Sequence, residues 1–533
     1  MGYTATRIPY RETNSYSSLV LDFLDQHPGL RNFYSHPGTL EGIRSCIAQR
    51  SRSQTDRQLL VDRMTTQYAD MSLPEKARKN LDFLRQDNCF TITTAHQNNI
   101  FSGPLYFVYK ILHAIALAAE LKNKIPECEF VPVFYMGSED ADLDELDHIY
   151  IGSDRYQWKT DQTGAVGRMK VDQGLVELID RIEGQLGVYA HGAEWIKLLR
   201  DSYTSGRSIA EATFRLVHTL FAERGLLVLM PDDSFLKRSF STILQKELLE
   251  QFVAPLVQEQ ASALSDLGYK VQATPRDINL FYLQPDSRQR IEKRGAQWLV
   301  KGTSLVFTAE QLLAELAQHP ERFSPNVLLR GLYQCSILPD VAFIGGGAEI
   351  SYWLQQRKLF DAAKIPMPVL VLRNSFMLTD PTITNKLSSW GLGSAQLFES
   401  VDSILQQWAG EEGKLTRDLS NEKESLQQLY SGIRQRAEQL DPTLIAHVAS
   451  LEKKSLNGLE GLEKKLWKSI KRKHVVQLNQ LMQIKEQLFP MGVLQERNQH
   501  LGYFYARYGK SLLDQLFVHS QGLAQDFTIL ELP

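Results

Sequence analysis

Short apolar runs alternate with amphipathic helical stretches along most of the chain. The β-rich runs at 90–95, 129–136, 225–230, 341–344 and 369–372 are typical of buried parallel strands. After the first run, Ser102-Gly103-Pro104 predicts the start of a helix, because proline favours the first helical turn. The order strand, helix, strand therefore predicts an α/β fold built on a Rossmann-like parallel sheet core.

Two stretches interrupt this alternation. The stretch after residue 150 is predicted to be mainly helix and loop, whereas 273–307 has the alternating pattern of a small antiparallel piece. We therefore predict a core with two connecting insertions and a C-terminal α-helical coiled-coil arm. The predicted segments are 1–150 (N-terminal helices and the first half of the core), 151–224 (first insertion, mainly helical), 225–272 (core strand and long helix), 273–338 (second insertion with a small β piece), 339–414 (second half of the core), 415–490 (antiparallel coiled-coil hairpin) and 491–533 (C-terminal segment returning to the core).

Heptad spacing characterises the arm, which we predict to begin near 415. Leu419, Leu426, Ile433 and Leu440 recur every seven residues, and Asp441-Pro442 then breaks the helix. A second, longer heptad helix is predicted to run to Phe489-Pro490, so that part of its apolar stripe has no partner within the hairpin. We expect this stripe to form a homodimer. The alternative is that it packs back on the core of the same chain.

Composition narrows the possible partners and compartments. With 533 residues, 43% hydrophobic content and a net charge of −3, the chain is neither disordered nor suited to a polyanionic partner, so we predict binding to no nucleic acid and no membrane. The four cysteines are far apart, which favours buried free thiols in a reducing compartment. The N-terminus has no signal-peptide core, and its match to the short myristoylation pattern has no polybasic neighbour. We therefore expect a cytoplasmic protein.

Candidate chemistry is densest directly after the 129–136 strand. Residues 138–145 hold six acidic or hydroxyl side chains, among them Glu139, Asp140 and Asp142. Such a cluster can hold an ammonium group or supply a general base. The spacing excludes an EF-hand, and we predict no metal site. The alternative is an acidic helix N-terminus that caps free N–H groups.

A second polar group, His96-Gln97-Asn98-Asn99, follows the first strand. Ligands of open α/β sheets bind at this edge, and the position, though not the letters, resembles that of the HIGH signature of nucleotidyl transferases. No convincing KMSKS-like lysine loop, P-loop or GxGxxG accompanies it. His96 and Gln97 are therefore catalytic candidates, with a structural histidine as the alternative.

Further candidates follow the later strands. Gly345-Gly346-Gly347 could let the backbone approach a ligand, although a tight turn alone would also explain these glycines. Arginine forks suit carboxylates or phosphates. The candidates on these segments are Glu349, Tyr352, Trp353, Asn326, Arg330 and Arg373.

Several of these motifs together resemble the bacillithiol biosynthesis cysteine-adding enzyme family. The resemblance rests on 101–106 with Lys110, 137–145, 321–327 with Arg330, 345–353, and 495–497 followed by Tyr505 and 507–509. These motifs occur in the same order over nearly the whole chain. The chain departs from the family at 95–101, where a Gly-Gln-Gln-Ala-Gly-like loop is usual: Gln97 keeps its place, but His96 and Asn98 do not follow the pattern.

The resemblance implies a ligase that joins L-cysteine to glucosaminyl malate by an amide bond. It also implies a coiled-coil homodimer, substrate contacts from Ser102, Gly103 and Lys110, and a nucleotide pocket near the C-terminal helices. Because a free carboxylate is a poor acyl donor, we expect activation as an acyl phosphate or adenylate; ATP or ADP is the suspected cofactor, and these residues leave open whether ATP is consumed. The residues suggested for an ATP/ADP site are Asp380, Glu486, Tyr503, Phe504 and Tyr505. The alternatives are another acyl-activating or nucleotidyl-transferring enzyme on a HIGH-type core, or a non-catalytic coiled-coil scaffold.

Overall fold

The computed structural model describes residues 2–408 and 418–533. Its strands within these ranges are β1 (Thr4–Pro9), β2 (Cys89–Gln97), β3 (Glu129–Gly137), β4 (His148–Ile151), β5 (Asp154–Gln157), β6 (Leu227–Leu229), β7 (Leu280–Gln284), β8 (Ser287–Arg294), β9 (Gln297–Val300), β10 (Val306–Phe307), β11 (Phe323–Pro325), β12 (Asp340–Gly345), β13 (Val369–Leu372), β14 (Phe376–Thr379) and β15 (Asp526–Glu531).

The α-helices in the same ranges surround these strands and form the C-terminal arm. They are Ser18–Leu24, Leu40–Arg50, Arg57–Gln67, Glu75–Phe83, Leu105–Lys124, Leu143–Leu146, Gln173–Leu186, Gly192–Ser202, Ile209–Phe221, Ser234–Ser239, Ser241–Glu250, Val253–Asp266, Ala309–Gln318, Val327–Ile337, Gly347–Trp353, Arg357–Ala363, Pro381–Ser389, 401–408, Ser420–Leu440, Ile445–Lys473, Val475–Leu488, Gln495–Asn498, Leu501–Tyr508 and Lys510–His519. No helix in the described ranges is long and apolar enough to cross a bilayer.

A parallel sheet with the order β13-β12-β2-β3-β6 forms the core. Its strands are almost continuously buried, as is typical of parallel sheets covered by helices on both faces. The helix Leu105–Lys124 connects β2 to β3, as the pattern predicted, and buries most of its residues. The strand order reverses between β2 and β12, and such switch points are where open α/β sheets bind ligands. The predicted Rossmann-like core is confirmed.

Three further sheets accompany this core in the described ranges, and two of them have more than two strands. The second insertion forms the sheet β10-β9-β8-β7-β11, whose neighbouring strands are antiparallel, so the predicted small antiparallel piece is confirmed. The third sheet, β1-β15-β14, pairs the N-terminal strand with the C-terminal one. All four cysteines are buried and unpaired, as expected.

The structure adds local detail to the predicted elements and corrects one of them. The first 88 residues contain β1 besides their helices, and the mainly helical first insertion begins with the hairpin β4–β5, where Gly152 takes a positive φ of 63° in the turn. The long helix predicted after 234 is three helices, and the residue that ends the second, Gln251, has left-handed backbone geometry. The hydrophobic periodicity does not reveal these breaks, because they depend on backbone conformation.

The chain divides into two compact units. One contains Ser15–Thr379 and Val493–Pro533 with the N-terminal residues up to Arg11, and the other contains Glu12–Asn14 and Asp380–Gly492. The predicted segment boundaries stay predictions. The boundary at 414–415, and with it the predicted start of the arm, lies outside the described residues.

The second unit contains the predicted helical hairpin. Ser420–Leu440 and Ile445–Lys473 pack against each other, with Asp441 capping the turn between them. Lys423 donates to Glu463 at 2.6 Å, and the hydroxyls of Tyr430 and Ser455 are 2.9 Å apart. The second helix was expected to continue to 489, but it ends at Lys473 and a separate helix, Val475–Leu488, follows.

Candidate active site

A cavity of about 730 Å³ opens at the carboxyl edge of the parallel sheet. Its volume lies within the usual range for small-molecule sites. The ends of β2, β3 and β12 and the residue after β13 reach it, while β7, β8 and the start of Val327–Ile337 border it from the insertion side. The predicted residues that line it are His96, Gln97, Lys110, Glu139, Asp140, Asn326, Arg330, Glu349, Tyr352 and Arg373.

Glu139 is the most enclosed carboxylate at the end of β3. The buried ammonium group of Lys237 donates to Glu139, to Asp232 at 3.2 Å and to the carbonyl of Glu321 at 3.1 Å. Burial raises the pKa of Glu139, although Lys237 acts in the opposite direction. Burial also disfavours the charge of Asp232, but Lys237 and a two-point bond from Arg168 outweigh it and lower its pKa to about 2. Glu139 is thus the last member of a series of ion pairs in which acidic and basic side chains alternate.

Asp140 lies beside Glu139 but is held more loosely. Gln97 donates its side-chain amide to Asp140 Oδ2 at 2.5 Å, and the backbone N–H of Asp142 donates to Oδ1 at 3.3 Å. Arg288 Nη1 is 3.9 Å from the same carboxylate. The Asp140 side chain is 34% exposed, whereas that of Glu139 is 12% exposed. Asp140 is therefore the carboxylate with better access to solvent and to a bound ligand.

Cations form the sheet-side floor of the cavity. Lys110 is buried, donates to the carbonyl of Ala95 at 2.9 Å and forms an ion pair with Glu349. Burial lowers the pKa of Lys110, and Glu349 opposes this effect. Glu349 also accepts the backbone N–H of Gly346 at 2.8 Å, which ties the glycine turn after β12 to this pair.

Arg330 and Arg373 differ in how they are held. Arg330 donates to the hydroxyl of Tyr352 at 2.8 Å and to Gln334 at 3.2 Å, and no carboxylate among the described residues forms an ion pair with it. Arg373 forms an ion pair of 2.7 Å with Glu496, which is fully buried. A buried guanidinium without a carboxylate partner is well placed to receive an anionic ligand. Arg330 is therefore the clearest anion-binding group.

His96 packs against aromatic rings at the cavity wall. Its ring packs edge-on against Tyr106 and Phe107, at centroid distances of 5.2 and 5.5 Å. Burial, together with the charges of Lys110 and Arg373, lowers the pKa of His96 well below its ordinary value. Its Nε2 atom has no hydrogen-bond partner among the described residues. His96 is thus a neutral imidazole on the cavity wall.

Four predicted residues do not line the cavity. Ser102 is fully buried, and Gly103 has a positive φ at which a Cβ atom would lie 2.7 Å from Asn99. Trp353 is buried with its ring stacked on Phe343 and Phe360. Asp142 precedes the short helix Leu143–Leu146 and likewise stays outside. The local motifs included them because they are neighbours in sequence of residues that do line the cavity. Asn326 does line the cavity, yet it caps a helix through Leu328 and Leu329.

The suggested nucleotide residues are divided between the two units. In the second unit, Asp380 caps the helix Pro381–Ser389 and Glu486 is exposed. In the first unit, Tyr505 is fully buried with its hydroxyl on Glu194, Phe504 is 7% exposed, and Arg507 covers one face of the Tyr503 ring. Burial leaves Tyr503 as the one partly accessible ring of the three on which a purine could stack, and the nucleotide site stays a prediction.

Sequence reasoning missed a set of cavity residues that come from distant segments. They are Tyr106, Tyr135, Arg276, Phe281, Arg288, Arg290 and Arg497, with Lys237 behind Glu139. Arg288 and Arg290 alternate within the predicted antiparallel piece 273–307, and alternate residues of a strand share a face, while Tyr106 and Arg497 lie inside motifs on which the resemblance rests. Among the described residues, no group of three or more His, Cys, Asp or Glu side chains could hold a metal ion.

The comparisons with known proteins agree with the motifs. A family model described as "Bacillithiol biosynthesis BshC, N-terminal Rossmann-like domain" matches residues 3–374, and "Bacillithiol biosynthesis BshC, C-terminal coiled-coil domain" matches residues 376–532. A protein of Flavobacterium johnsoniae named "Putative cysteine ligase BshC" is 36% identical over 525 residues, which cover 98% of this chain and 99% of the relative. A protein of the same name from Christiangramia forsetii is 35% identical over 533 residues, covering 98% of each chain.

Proposed function

The chain belongs to the bacillithiol biosynthesis BshC family of cysteine ligases, and on that premise we propose that it joins L-cysteine to glucosaminyl malate. The new bond is an amide between the cysteine carboxyl and the sugar amine, and the product is bacillithiol. We further propose that the enzyme works in the cytoplasm as a homodimer formed through its helical hairpin.

The observation that carries this proposal is the separation of charge within one cavity. Carboxylates at the end of β3 face a space whose floor and insertion side carry Lys110, Arg330, Arg373 and Arg288. Glucosaminyl malate brings an amine and two carboxylates, and cysteine brings one of each. A site with both signs of charge, arranged at a sheet switch point, suits this pair of substrates.

Arg330 and Arg373 are proposed to hold the malyl carboxylates. Arg330 has only neutral hydrogen-bond partners, so an incoming carboxylate would supply its missing counter-charge. Arg373 has Glu496 on one side, and its guanidinium carbon lies 5.2 Å from the centroid of the Tyr106 ring at the cavity wall. Two forks set at fixed positions would orient the substrate as well as bind it.

Glu139 and Asp140 are proposed to handle the amines in different ways. Because the ion pair with Lys237 favours the ionised form of Glu139, this carboxylate is proposed to anchor the cysteine ammonium group rather than to cycle a proton. Asp140 is more exposed and can return a proton to solvent, so we assign it the general base that deprotonates the sugar amine. Gln97 orients Asp140 through its 2.5 Å hydrogen bond.

Amide formation requires the cysteine carboxylate to lose an oxygen. Activation with ATP would join a carboxylate oxygen to phosphorus, giving an acyl phosphate with release of ADP or an acyl adenylate with release of pyrophosphate. The sugar amine then attacks the acyl carbon, its proton passes to Asp140, and phosphate or AMP leaves with the carboxylate oxygen. The charged floor can stabilise the oxyanion that develops during this attack.

The direct test is product formation by the purified full-length protein. Cysteine and glucosaminyl malate are incubated with and without ATP, and bacillithiol is measured by mass spectrometry. Formation of bacillithiol supports the proposal, and its dependence on ATP decides the energy source. If no bacillithiol forms but another amino acid drives pyrophosphate exchange, the chain is a different acyl-activating enzyme.

A further inference from the structure

The active-site cavity holds more positive charge than the two substrates need. In the described part of the chain, seven cationic side chains and three carboxylates line it. All three carboxylates are already engaged: Glu349 with Lys110, Glu139 with Lys237, and Asp140 with Gln97 and, at 3.9 Å, with Arg288. Of the remaining cations, Arg373 pairs with Glu496, which does not line the cavity, and Arg276, Arg290, Arg330 and Arg497 have no ion pair among the described residues.

Arg276, Arg290 and Arg497 are the least engaged of these cations, and Arg276 and Arg290 are the two on the insertion side. Neither side chain has a hydrogen bond or an ion pair among the described residues, and both are exposed at the insertion side of the cavity. Arg290 lies two residues after Arg288 on β8, so the two side chains share one face of the antiparallel sheet. Its strand partner on β7 is Phe281, which also lines the cavity.

Arg288 fixes this edge in place. Its guanidinium lies 4.0 Å from the centroid of the Phe281 ring, and it donates to the hydroxyl of Ser324 at 3.1 Å and to the carbonyl of Pro325 at 3.2 Å. The insertion therefore presents one anchored guanidinium beside two free ones. Arg288 and Arg290 are set by the paired strand β8, whereas Arg276 lies in the segment before β7, where its backbone N–H donates to the Asn279 side chain at 3.1 Å.

We propose that Arg276, Arg288 and Arg290 form a polyphosphate-binding subsite, which takes the phosphate chain of a phosphorylated co-substrate. The floor arginines, Arg330 and Arg373, suffice for the two malyl carboxylates, and the one carboxylate of cysteine does not need three further guanidinium groups. A triphosphate carries several negative charges along a chain of oxygens and matches a row of guanidinium forks. The inference rests on the proposed function, because it places the phosphates beside the carboxylate that must be activated.

The test uses calorimetric titration of the full-length protein with inorganic tripolyphosphate and, separately, with L-malate. The variant is Arg276→Gln with Arg290→Gln, and the matched control is Arg294→Gln, an exposed arginine of the same strand that does not line the cavity. We expect the double variant to bind tripolyphosphate at least about tenfold more weakly, since two charge-assisted contacts are lost. Its affinity for L-malate should change less than about twofold, and the control should bind both anions like the wild type.

Three outcomes would overturn the subsite. They are no binding of tripolyphosphate by the wild type, an equal loss in the Arg294→Gln control, and an equal loss of L-malate affinity in the double variant, which would identify these arginines as carboxylate ligands. Arg330→Gln is the converse test, because it should weaken the binding of L-malate more than the binding of tripolyphosphate. Failure of the proposed function looks different: the wild type would make no bacillithiol, whatever its affinity for tripolyphosphate.

Discussion

Every residue of β12 and β13 is buried, whereas the hairpin helix Ser420–Leu440 buries none of its residues and Ile445–Lys473 buries only Val448. The sheet unit gains its stability from apolar area removed from water. The hairpin has a seam of partly exposed leucines and ion pairs such as Lys423–Glu463, which contribute little each. Its apolar residues Leu429, Ile433, Leu440, Leu451 and Leu462 stay exposed.

This difference has a functional counterpart. The sheet unit can hold charged groups such as Lys237, Asp232 and Glu496 away from water because a large core surrounds them. The hairpin offers no such interior among its described residues, and its open apolar stripe instead suits association with a second copy. We therefore assign chemistry to the first unit and assembly to the second, and the following predictions test that division.

The largest effect is expected from the hairpin stripe. Replacing both Leu462 and Leu466 with Asp should convert the proposed homodimer into monomers, because an apolar interface cannot bury unpaired carboxylates. Light scattering measures the mass, and circular dichroism checks that the helices remain. Asp at Lys464 and Lys468, two exposed positions of the same helix, is the matched control and should stay dimeric. A folded, dimeric leucine double variant would place the interface elsewhere.

Next in size is the effect of the strand-end carboxylates. Asp140→Asn should lower turnover roughly 100-fold or more, in keeping with the usual value of general-base catalysis. Glu139→Gln should mainly raise the half-saturating cysteine concentration, and it should also lower the melting temperature because Lys237 keeps only Asp232 as a carboxylate partner.

Asp142→Asn is the control for this pair, since Asp142 lies in the same acidic run but does not line the cavity. If these carboxylates only cap a helix, each substitution should cost about 1 kcal/mol of stability with near-normal turnover. Two cooler-melting but active variants, at Glu139 and Asp140, would contradict the assignment. Rates and melting temperatures of the same protein samples separate the two cases.

A comparable effect, specific to one substrate, is expected for the arginines on the sheet side of the cavity. Arg330→Ala should raise the half-saturating concentration of glucosaminyl malate about 100-fold, as expected for the loss of a charge-assisted bond away from water. The value for cysteine should move much less. Arg373→Ala should act in the same direction but also destabilise the fold, because it leaves the buried Glu496 unpaired, so Arg373→Ala with Glu496→Gln isolates the binding effect. Equal effects on both substrates would mean that these arginines hold another group, such as a phosphate.

The sequence predicts the secondary structure of both units, but it does not predict which distant side chains pair at the site. The hairpin follows from the spacing of Leu419 to Leu440, and the core strands follow from short apolar runs, because both signals are local. Glu139, Asp140, Arg330 and Arg373 were predicted since strand ends of a parallel sheet meet at one edge. Their partners were not: Lys237 is 98 residues from Glu139, and Glu496 is 123 residues from Arg373. Pairing over such separations depends on tertiary packing, which local periodicity does not encode.

The smallest effect concerns the acid stability of the sheet unit, which buries His113 and His500. Each is held as a neutral imidazole: Nε2 bonds to a carbonyl, that of Gly522 or Phe101, while Nδ1 accepts a backbone N–H. Burial lowers the pKa of both to about 4. In the unfolded chain a histidine titrates near 6.5, so the unfolded state takes up protons first as the pH falls. The stability that each neutral ring contributes is therefore present above pH 6.5 and is lost between about 6.5 and 4, amounting to about 2 kcal/mol per histidine at pH 5.

Urea unfolding measured from pH 7.5 to 4.5 should show this loss. His113→Asn and His500→Asn should each flatten its slope by about one proton, whatever they cost at neutral pH. An unchanged slope in both variants would mean that other groups set the acid limit, and that burial of neutral histidines does not distinguish the sheet unit.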